Sequence, residues 1–276
     1  MKLKEVLADT AIKLSRSGIE GAARDARILT AYALGTPISE LSSKFNEQVS
    51  EKIIAKLEKL ILRRIDREPI SKILGRREFW GRSFSINENV LDPRGDTETL
   101  IDFVIEKPVK SVLDLGTGSG AIAVTLACEW KEVHVTAVDI SEDALLLAKL
   151  NAEKFNVQNK IHFLKSDWYD NVKGLFDLII SNPPYIGLAE QDELSAEVIK
   201  YDPEIALFAG RDGLDAYKKI IPNLPKFLNQ DGFVALETGA SQSNQVKNMM
   251  NAVGFIDAKI VKDLSGKDRL VAAKLA

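Results

Sequence analysis

The sequence contains little sulfur and few imidazole side chains. Of its 276 residues, one is a cysteine, Cys128, and two are histidines, His134 and His162. A single cysteine excludes an intramolecular disulfide and a zinc site made of several cysteines. Two histidines exclude most histidine-based metal sites and argue against a serine–histidine–aspartate triad. We therefore expect no metal site, and the lone thiol favours a reducing compartment.

Long apolar runs are also missing. No stretch approaches the roughly 18 consecutive apolar residues of a membrane helix. Residues 1–6 show no apolar region of the kind that secretory signal peptides carry. With 45% hydrophobic and 28% charged residues, the composition is that of a globular protein able to bury a core. These features predict a cytoplasmic protein without a membrane partner.

The charge is distributed unevenly along the chain. The net charge is −3, but residues 1–75 carry 14 Lys and Arg against 10 Asp and Glu, and the remainder carries 23 against 30. A net of +4 in the first part fits a solvated surface as well as an anionic partner, and the sequence leaves both open. A net of −7 in the remainder argues against direct binding of nucleic acid.

The hydrophobic pattern divides the chain into three parts. Residues 1–75 repeat apolar side chains at helical spacing, with a helix starting after Ser50, which predicts a small helical bundle. Residues 76–95 are aromatic and partly alternating, so we interpret them as a β-hairpin linker. Residues 96–276 alternate strands with helices, which predicts an α/β domain with a mostly parallel sheet covered on both faces.

The α/β part is expected to contain seven strands. The apolar runs that predict them are at 111–115, 133–138, 161–164, 175–180, 233–236, 258–261 and 269–273. No helix separates the last two, so the final strand should run antiparallel. A helix is expected over 214–228, and Asp96 should cap the helix at the start of the domain.

A glycine-rich turn follows the first of these strands, behind Asp114. Its residues are Gly116, Thr117, Gly118, Ser119 and Gly120. Glycines let the backbone approach a ligand, and the helix that follows offers free N–H groups. The Gly-x-Gly-x-Gly spacing differs from the Gly-x-Gly-x-x-Gly of dinucleotide sites. Asp114 suits a ligand with an amino group, such as the methionine part of S-adenosylmethionine, better than a pyrophosphate.

The next two strand ends supply further candidate ligand contacts. Asp139 closes the second strand, where an acid can bind ribose hydroxyls. Asp139 can also cap the following helix, and the two roles are compatible. After the third strand, Asp167 can accept a hydrogen bond from the adenine amino group, and Trp168 can cover the adenine ring. A tryptophan that is merely packed in a loop is the alternative for Trp168.

The most specific motif is Asn182-Pro183-Pro184-Tyr185, which follows the apolar fourth strand. The prolines are rigid, so they hold the Asn182 side chain and the carbonyls of Asn182 and Pro183 in fixed directions. These acceptors can hold both protons of a planar NH₂ group, which aims its lone pair at a sulfonium methyl. Tyr185 can lie against the plane. The tetrad therefore predicts substrate binding and N-methylation, with Asn182, Pro183 and Tyr185 as catalytic residues and no strong base.

The glycine turn, Asp139 and the tetrad resemble class I amino-methyltransferases. Nearly the whole chain resembles the release factor glutamine methyltransferases of the PrmC/HemK type. Besides those motifs, the segments that carry the resemblance are 25–29, 68–81, 93–98 and 263–269. One departure is Gly95, where that family usually has proline, and this leaves the detailed role of its loop open.

The resemblance implies a Rossmann-like methyltransferase domain and a helical N-terminal domain that docks the substrate. It implies S-adenosylmethionine as cofactor and S-adenosylhomocysteine as product, contacted by residues 116–120, Asp139, Trp168 and Asn182. The implied substrate is the glutamine of the Gly-Gly-Gln tripeptide of peptide chain release factors, held by the tetrad. A ribosomal-protein glutamine methyltransferase and an adenine-N6 nucleic-acid methyltransferase remain alternatives. A non-catalytic S-adenosylmethionine-binding module predicts a damaged tetrad, and the tetrad is intact.

Overall fold

The computed structural model of the protein describes residues 1–275, which form two compact units. The first unit contains Met1–Gly75 and the separate segment Ser195–Tyr201. The second unit contains Arg76–Leu194 and the residues from Asp202 onward. No described helix has the length and apolarity needed to cross a membrane.

The helices and strands cover most of both units. The helices are α1 (Leu3–Arg16), α2 (Ala22–Leu34), α3 (Glu51–Ile65), α4 (Ile70–Leu74), α5 (Glu98–Ile105), α6 (Ala121–Glu129), α7 (Glu142–Lys154), α8 (Ala196–Tyr201), α9 (Glu204–Leu207), α10 (Asp215–Ile220), α11 (Leu224–Phe227) and α12 (Ser243–Ala252). Short 3-10 turns lie at Ile38–Lys44, Gly95–Thr97, Gln158–Lys160, Leu188–Glu193 and Ile221–Asn223. The strands are β1 (Arg76–Phe79), β2 (Arg82–Ser85), β3 (Ser111–Leu115), β4 (His134–Asp139), β5 (Ile161–Lys165), β6 (Phe176–Ser181), β7 (Leu228–Glu237), β8 (Phe255–Lys262) and β9 (Asp268–Leu275).

The first unit is a helical bundle around its own apolar core. Leu14, Leu29 and Leu41 are fully buried there, because the apolar faces of α1, α2 and the following 3-10 turn pack together. The predicted cap of α3 is confirmed, since the Ser50 side chain accepts a hydrogen bond from the N–H of Ile53.

Ion pairs explain why α8 belongs to the first unit although it lies far along the chain. Arg64, at the end of α3, donates from Nε to Oδ2 of Asp25 at 2.8 Å, and its Nη1 lies 2.8 Å from Oε1 of Glu197. Lys200 donates to Asp66 at 2.6 Å. Arg64 and Asp25 are both buried, so their pairing compensates the loss of water around each charge.

The second unit is built on the predicted seven-stranded sheet. The strand order is β5-β4-β3-β6-β7-β9-β8. Strands β3 to β7 pair in parallel, and β9 runs antiparallel to both β7 and β8. The expectation of an α/β fold with an antiparallel final strand is therefore confirmed.

Apolar side chains cover both faces of this sheet. Val112 packs in one cluster and the next residue, Leu113, in the other, because successive side chains of a strand point to opposite faces. Phe79 and Phe84 of the β1–β2 hairpin are fully buried in the first cluster. The hairpin in the segment 76–95 is thus packed into the core of the second unit.

Two local expectations are wrong. The helix predicted over 214–228 is divided into α10, a 3-10 turn and α11, because Pro222 and Pro225 lack the N–H groups that a continuous helix needs. Asp96 does not cap α5. It instead pairs with Arg269, whose Nη2 lies 2.9 Å from its Oδ2, and α5 has no side-chain cap.

Candidate active site

The carboxyl ends of the parallel strands meet along one edge of the sheet, and the strand order reverses direction between β3 and β6. Open α/β sheets bind ligands at such a point. A cavity of about 440 Å³ lies there, within the range of roughly 300–1,000 Å³ that is usual for small-molecule sites. The predicted site residues in its wall are Gly116, Thr117, Gly118, Ser119, Asp139, Asp167, Trp168, Asn182 and Pro184. Those predicted for the site but placed outside the wall are Asp114, Gly120, Pro183 and Tyr185.

The glycine turn adopts backbone angles that favour glycine. The φ angles of Gly116, Gly118 and Gly120 are +72°, +55° and +79°. Gly118 donates its N–H to Oδ2 of Asp139 at 2.9 Å. A Cβ on Gly120 would lie only 3.0 Å from Cβ of Ala148, so this glycine allows the start of α6 to pack closely against α7.

Asp114 lies buried beneath the glycine turn. Its Oδ2 accepts a hydrogen bond from Oγ1 of Thr117 at 2.6 Å, which braces the turn. Its Oδ1 is buried without a hydrogen-bond partner. Burial raises the pKa of Asp114 to about 7, and the Thr117 hydroxyl opposes that rise.

Asp139 is held by two backbone N–H groups. Oδ1 accepts from Ser141 and Oδ2 from Gly118, both at 2.9 Å. Each carboxylate oxygen can accept a second hydrogen bond, so Asp139 can still bind hydroxyl groups in the cavity. Ser141 supplies the cap of α7 by accepting from the N–H of Ala144. Burial raises the pKa of Asp139, and the N–H groups oppose that rise.

Trp168 is both packed against the protein and exposed to the cavity, so the two alternatives for this residue, a packed side chain and a ligand contact, are compatible. Its ring packs partly against the second apolar cluster, and the residue also lines the cavity. Its ring lies 3.9 Å from the position that a Cβ on Gly116 would occupy. Asp167 is exposed beside it, and Nζ of Lys219 in the same wall lies 3.9 Å from its Oδ2.

Asn182 follows β6 and is oriented by its neighbours. Oγ of Ser181 donates to the carbonyl of Leu115 at 2.6 Å, which fixes the end of β6 against β3. Nδ2 of Asn182 donates to Oγ1 of Thr97 at 3.0 Å. The carboxamide therefore presents its nitrogen to Thr97 and directs Oδ1 away from it.

Tyr185 is held from two sides. Its carbonyl accepts a hydrogen bond from Nε2 of Gln242 at 2.8 Å. A Cβ on Gly213 would collide with that carbonyl and with the Gln242 side chain, so the approach of this loop requires glycine. The Tyr185 hydroxyl lies 3.5 Å from Oε1 of Glu237. Burial raises the pKa of Tyr185.

Sequence reasoning missed Thr97, Glu237 and Arg269. Glu237 is fully buried at the end of β7, and the Thr97 hydroxyl lies near its carboxylate. Burial raises the pKa of Glu237 to about 7, whereas Thr97 and Arg269 lower it. The sequence does contain a signal for Glu237, because this acid directly follows the apolar run 233–236, as Asn182 follows an apolar run. No group of three or more His, Cys, Asp or Glu side chains in residues 1–275 is placed to hold a metal ion.

The seven-stranded sheet with its antiparallel last strand, and the cavity at the strand ends, define a class I methyltransferase fold. Residues 88–206 match a family described as the methyltransferase small domain, and residues 5–75 match the PrmC N-terminal domain. The catalytic domain of hMettl16, solved in complex with the MAT2A 3′UTR hairpin 6, superposes with a TM-score of 0.57 at 16% identity. That superposition covers 82% of this chain and 81% of that one.

Full-length comparison identifies the family. The chain is 40% identical over 275 residues to the release factor glutamine methyltransferase of Cereibacter sphaeroides, covering 100% of this chain and 99% of that protein. The chain therefore belongs to the release factor glutamine methyltransferase family. It is also 38% identical to the bifunctional methyltransferase of Rickettsia felis over 98% of its own length, but it spans only 57% of that protein.

Proposed function

We propose that this protein transfers a methyl group from S-adenosylmethionine to the side-chain amide nitrogen of a glutamine. The proposed substrate is the Gly-Gly-Gln tripeptide of peptide chain release factors. The observation that carries the proposal is the end-to-end likeness to the Cereibacter sphaeroides protein. The intact Asn182–Tyr185 tetrad beside the cavity supports it, since a module that only binds a cofactor has no need of that motif.

The residues of the cavity suit S-adenosylmethionine. Asp139 keeps free acceptor positions for ribose hydroxyls, and the glycine turn leaves room for a ligand against the backbone. Asp114 holds a buried, unpartnered acceptor beneath the turn. We propose that residues 116–119, Asp139 and Trp168 hold the cofactor. When bound, S-adenosylmethionine supplies an electrophilic methyl group on a sulfonium sulfur.

The proposed role of the tetrad is orientation and charge placement. Oδ1 of Asn182 accepts one proton of the glutamine NH₂ group, and a backbone carbonyl of the tetrad accepts the other. An amide lone pair is delocalised and weakly nucleophilic, so its alignment supplies much of the rate. The same oxygens stabilise the positive charge that develops on the nitrogen. The methylated nitrogen carries one surplus proton and is strongly acidic, so water can take that proton and no side chain is needed as a strong base.

We also propose that the first unit supplies contacts to the release factor. All the residues of the cavity wall belong to the second unit, so the first contributes none of them. Residues 1–75 carry a net charge of +4, which favours an acidic surface on the partner.

A labelling experiment tests the proposed function. The protein is incubated with methyl-labelled S-adenosylmethionine and a mixture of release factor, ribosomal proteins and adenine-containing DNA. We expect the release factor to be labelled on the tripeptide glutamine, and a release factor with that glutamine replaced by alanine to remain unlabelled. Label in DNA or in a ribosomal protein would favour that enzyme class instead. Binding of the cofactor without any transfer would identify a binding module.

A further inference from the structure

Behind Asn182 lie two buried polar side chains, Thr97 and Glu237, that the proposed mechanism does not use. Nδ2 of Asn182 donates to Oγ1 of Thr97 at 3.0 Å. Thr97 is itself buried, and its hydroxyl lies close enough to the Glu237 carboxylate to lower the pKa of that carboxyl. Glu237 is 0% exposed, and its Oε2 has no hydrogen-bond partner. Three elements far apart in sequence thus meet in one line of polar groups.

The topology explains this meeting. Ser181 at the end of β6 is paired with Leu236 of β7, so Asn182 directly after β6 and Glu237 at the end of β7 lie at the same level of adjacent strands. Thr97 ends the 3-10 turn that leads into α5. The turn is tied to β9 because Asp96 pairs with Arg269.

The direction of the hydrogen bonds follows from the chemistry of the groups. An ionised carboxylate only accepts hydrogen bonds, so the nearby hydroxyl of Thr97 turns its proton toward Glu237. A hydroxyl has a single proton, and therefore Oγ1 can only accept from Asn182. Asn182 must then present its NH₂ group to Thr97, which leaves Oδ1 for a ligand. With the carboxamide reversed, an NH₂ group would face the substrate amide and could not accept its protons.

We propose that Thr97 and Glu237 are positioning residues that fix the Asn182 carboxamide with Oδ1, rather than Nδ2, toward the amide to be methylated. This inference rests on the proposed function, in which Asn182 accepts a proton of the glutamine NH₂ group. Neither Thr97 nor Glu237 has to contact the substrate, since both act through Asn182.

The proton on Glu237 provides a specific signature. The groups that face its carboxylate are Thr97, Tyr185, Asp96 and Arg269, and the hydroxyl of Tyr217 donates to its backbone carbonyl at 2.7 Å. Burial raises the pKa of Glu237 to about 7. A protonated Glu237 can donate to Thr97, which frees the Thr97 proton to point at Asn182 and favours the reversed carboxamide. Methyl transfer should therefore decrease as the pH falls through neutrality.

The test uses full-length variants in single-turnover methyl transfer to the release factor with both substrates saturating. Thr97→Val keeps the shape but removes the hydroxyl, and we expect a rate loss of about tenfold to a hundredfold with unchanged binding of S-adenosylhomocysteine. Thr97→Ser restores the hydroxyl and should recover most of the rate. Glu237→Gln cannot titrate, so its rate should lose the decrease on the acid side that the wild type shows.

The outcomes separate this inference from the proposed function. If Asn182→Ala loses its rate while Thr97→Val transfers at the wild-type rate, the positioning role is wrong and the proposed function stands. If Asn182→Ala keeps the wild-type rate, this inference and the proposed role of the tetrad are both contradicted. If the wild-type protein does not methylate the release factor, the proposed function is wrong. Should Thr97→Val fail to bind S-adenosylhomocysteine, the pH profile of Glu237→Gln decides, and an unchanged acid limb would overturn the inference.

Discussion

The cavity lies at the carboxyl ends of the strands, and its β3–β5 side is built differently from its β6–β7 side. On the β3–β5 side, the wall consists of a glycine turn and acids that directly follow strands, and backbone N–H groups hold Asp139 in place. On the β6–β7 side, the key groups are side chains from distant parts of the sequence: Thr97, Asn182 and Glu237. A contiguous backbone motif suits a cofactor of fixed shape. An assembled cluster of side chains can set the orientation of one polar group toward a reacting amide.

Replacement of Asn182 should have the largest effect on the β6–β7 side. Asn182→Ala removes one well-placed acceptor, and we expect the single-turnover rate to decrease by about a hundredfold or more, which corresponds to on the order of 3–4 kcal/mol. Binding of S-adenosylhomocysteine, measured by calorimetry, should decrease far less than the rate, because Asn182 is one residue of a cavity wall whose other residues are unchanged. Asn182→Asp keeps an acceptor but adds a charge near a sulfonium, so its rate should lie between those of Ala and the wild type. A wild-type rate for Asn182→Ala would remove the tetrad from the chemistry.

The buried acid of the β3–β5 side makes stability depend on pH. Burial raises the pKa of Asp114 to about 7 from 3.8, so between these values the folded protein binds the proton more tightly than the unfolded chain. The free energy of unfolding therefore decreases as the pH rises through this window. Relative to wild type, Asp114→Asn should gain about 2–3 kcal/mol between pH 5 and pH 8 in urea unfolding without ligand.

Asp177→Asn is the matched control for this prediction. Burial raises the pKa of Asp177, but hydrogen bonds from Asn229 and Ser111 outweigh it, and the net pKa is lowered. Asp177 is then ionised in both the folded and unfolded states from pH 5 to pH 8. Its asparagine variant should differ from wild type by a constant amount. A constant difference for Asp114→Asn as well would show that Asp114 does not titrate in this window.

Asp139 tests the β3–β5 side for ligand binding. Asp139→Ala should weaken S-adenosylhomocysteine by about 1.5–3 kcal/mol, the range for losing hydrogen bonds to a charged group. The single-turnover rate should approach the wild-type rate at saturating S-adenosylmethionine, because Asn182 is untouched. Asp170→Ala makes the same change of charge at an exposed position and should bind normally. Equal affinity in both variants would exclude Asp139 from the cofactor site.

The smallest effect is expected for the first unit. Lys52 and Lys59 are exposed on α3, seven residues apart and thus on one helical face. Reversing both charges with glutamate should raise the KM for the release factor by about threefold to tenfold at low salt, and less at high salt. Lys131→Glu with Lys173→Glu makes the same change on exposed residues of the second unit. If the two double variants behave alike, the first unit has no special part in docking.

The sequence predicted most of the fold because its signals are local. Apolar runs that are followed by Gly116 or Asn182 predict strands that end at the same edge of the sheet. The absence of a helix between the last two strands predicts that the final strand runs antiparallel. The break in the helix over 214–228 also has a local cause, because Pro222 and Pro225 interrupt an otherwise helical pattern.

The parts that were missed depend on tertiary contacts. Asp96 looked like a helix cap, yet its partner is Arg269, 173 residues away in the chain. The segment that forms α8 has no sequence feature that joins it to α3, since the pairing of Arg64 with Glu197 exists only in the folded protein. The position of Glu237 after an apolar run makes it a candidate site residue from sequence alone. Its proximity to Thr97 depends on the tertiary structure. The roles of the individual site residues stay predictions.

The most direct test of the division between the two sides is a structure of the protein with S-adenosylhomocysteine and a peptide containing Gly-Gly-Gln. The distance to measure joins the glutamine amide nitrogen to Oδ1 of Asn182. We expect about 2.8–3.2 Å, the usual hydrogen-bond range, with Nδ2 still donating to Thr97 and the ribose hydroxyls on Asp139. A glutamine amide outside hydrogen-bond reach of Asn182, or a carboxamide with Nδ2 facing the peptide, would contradict the account.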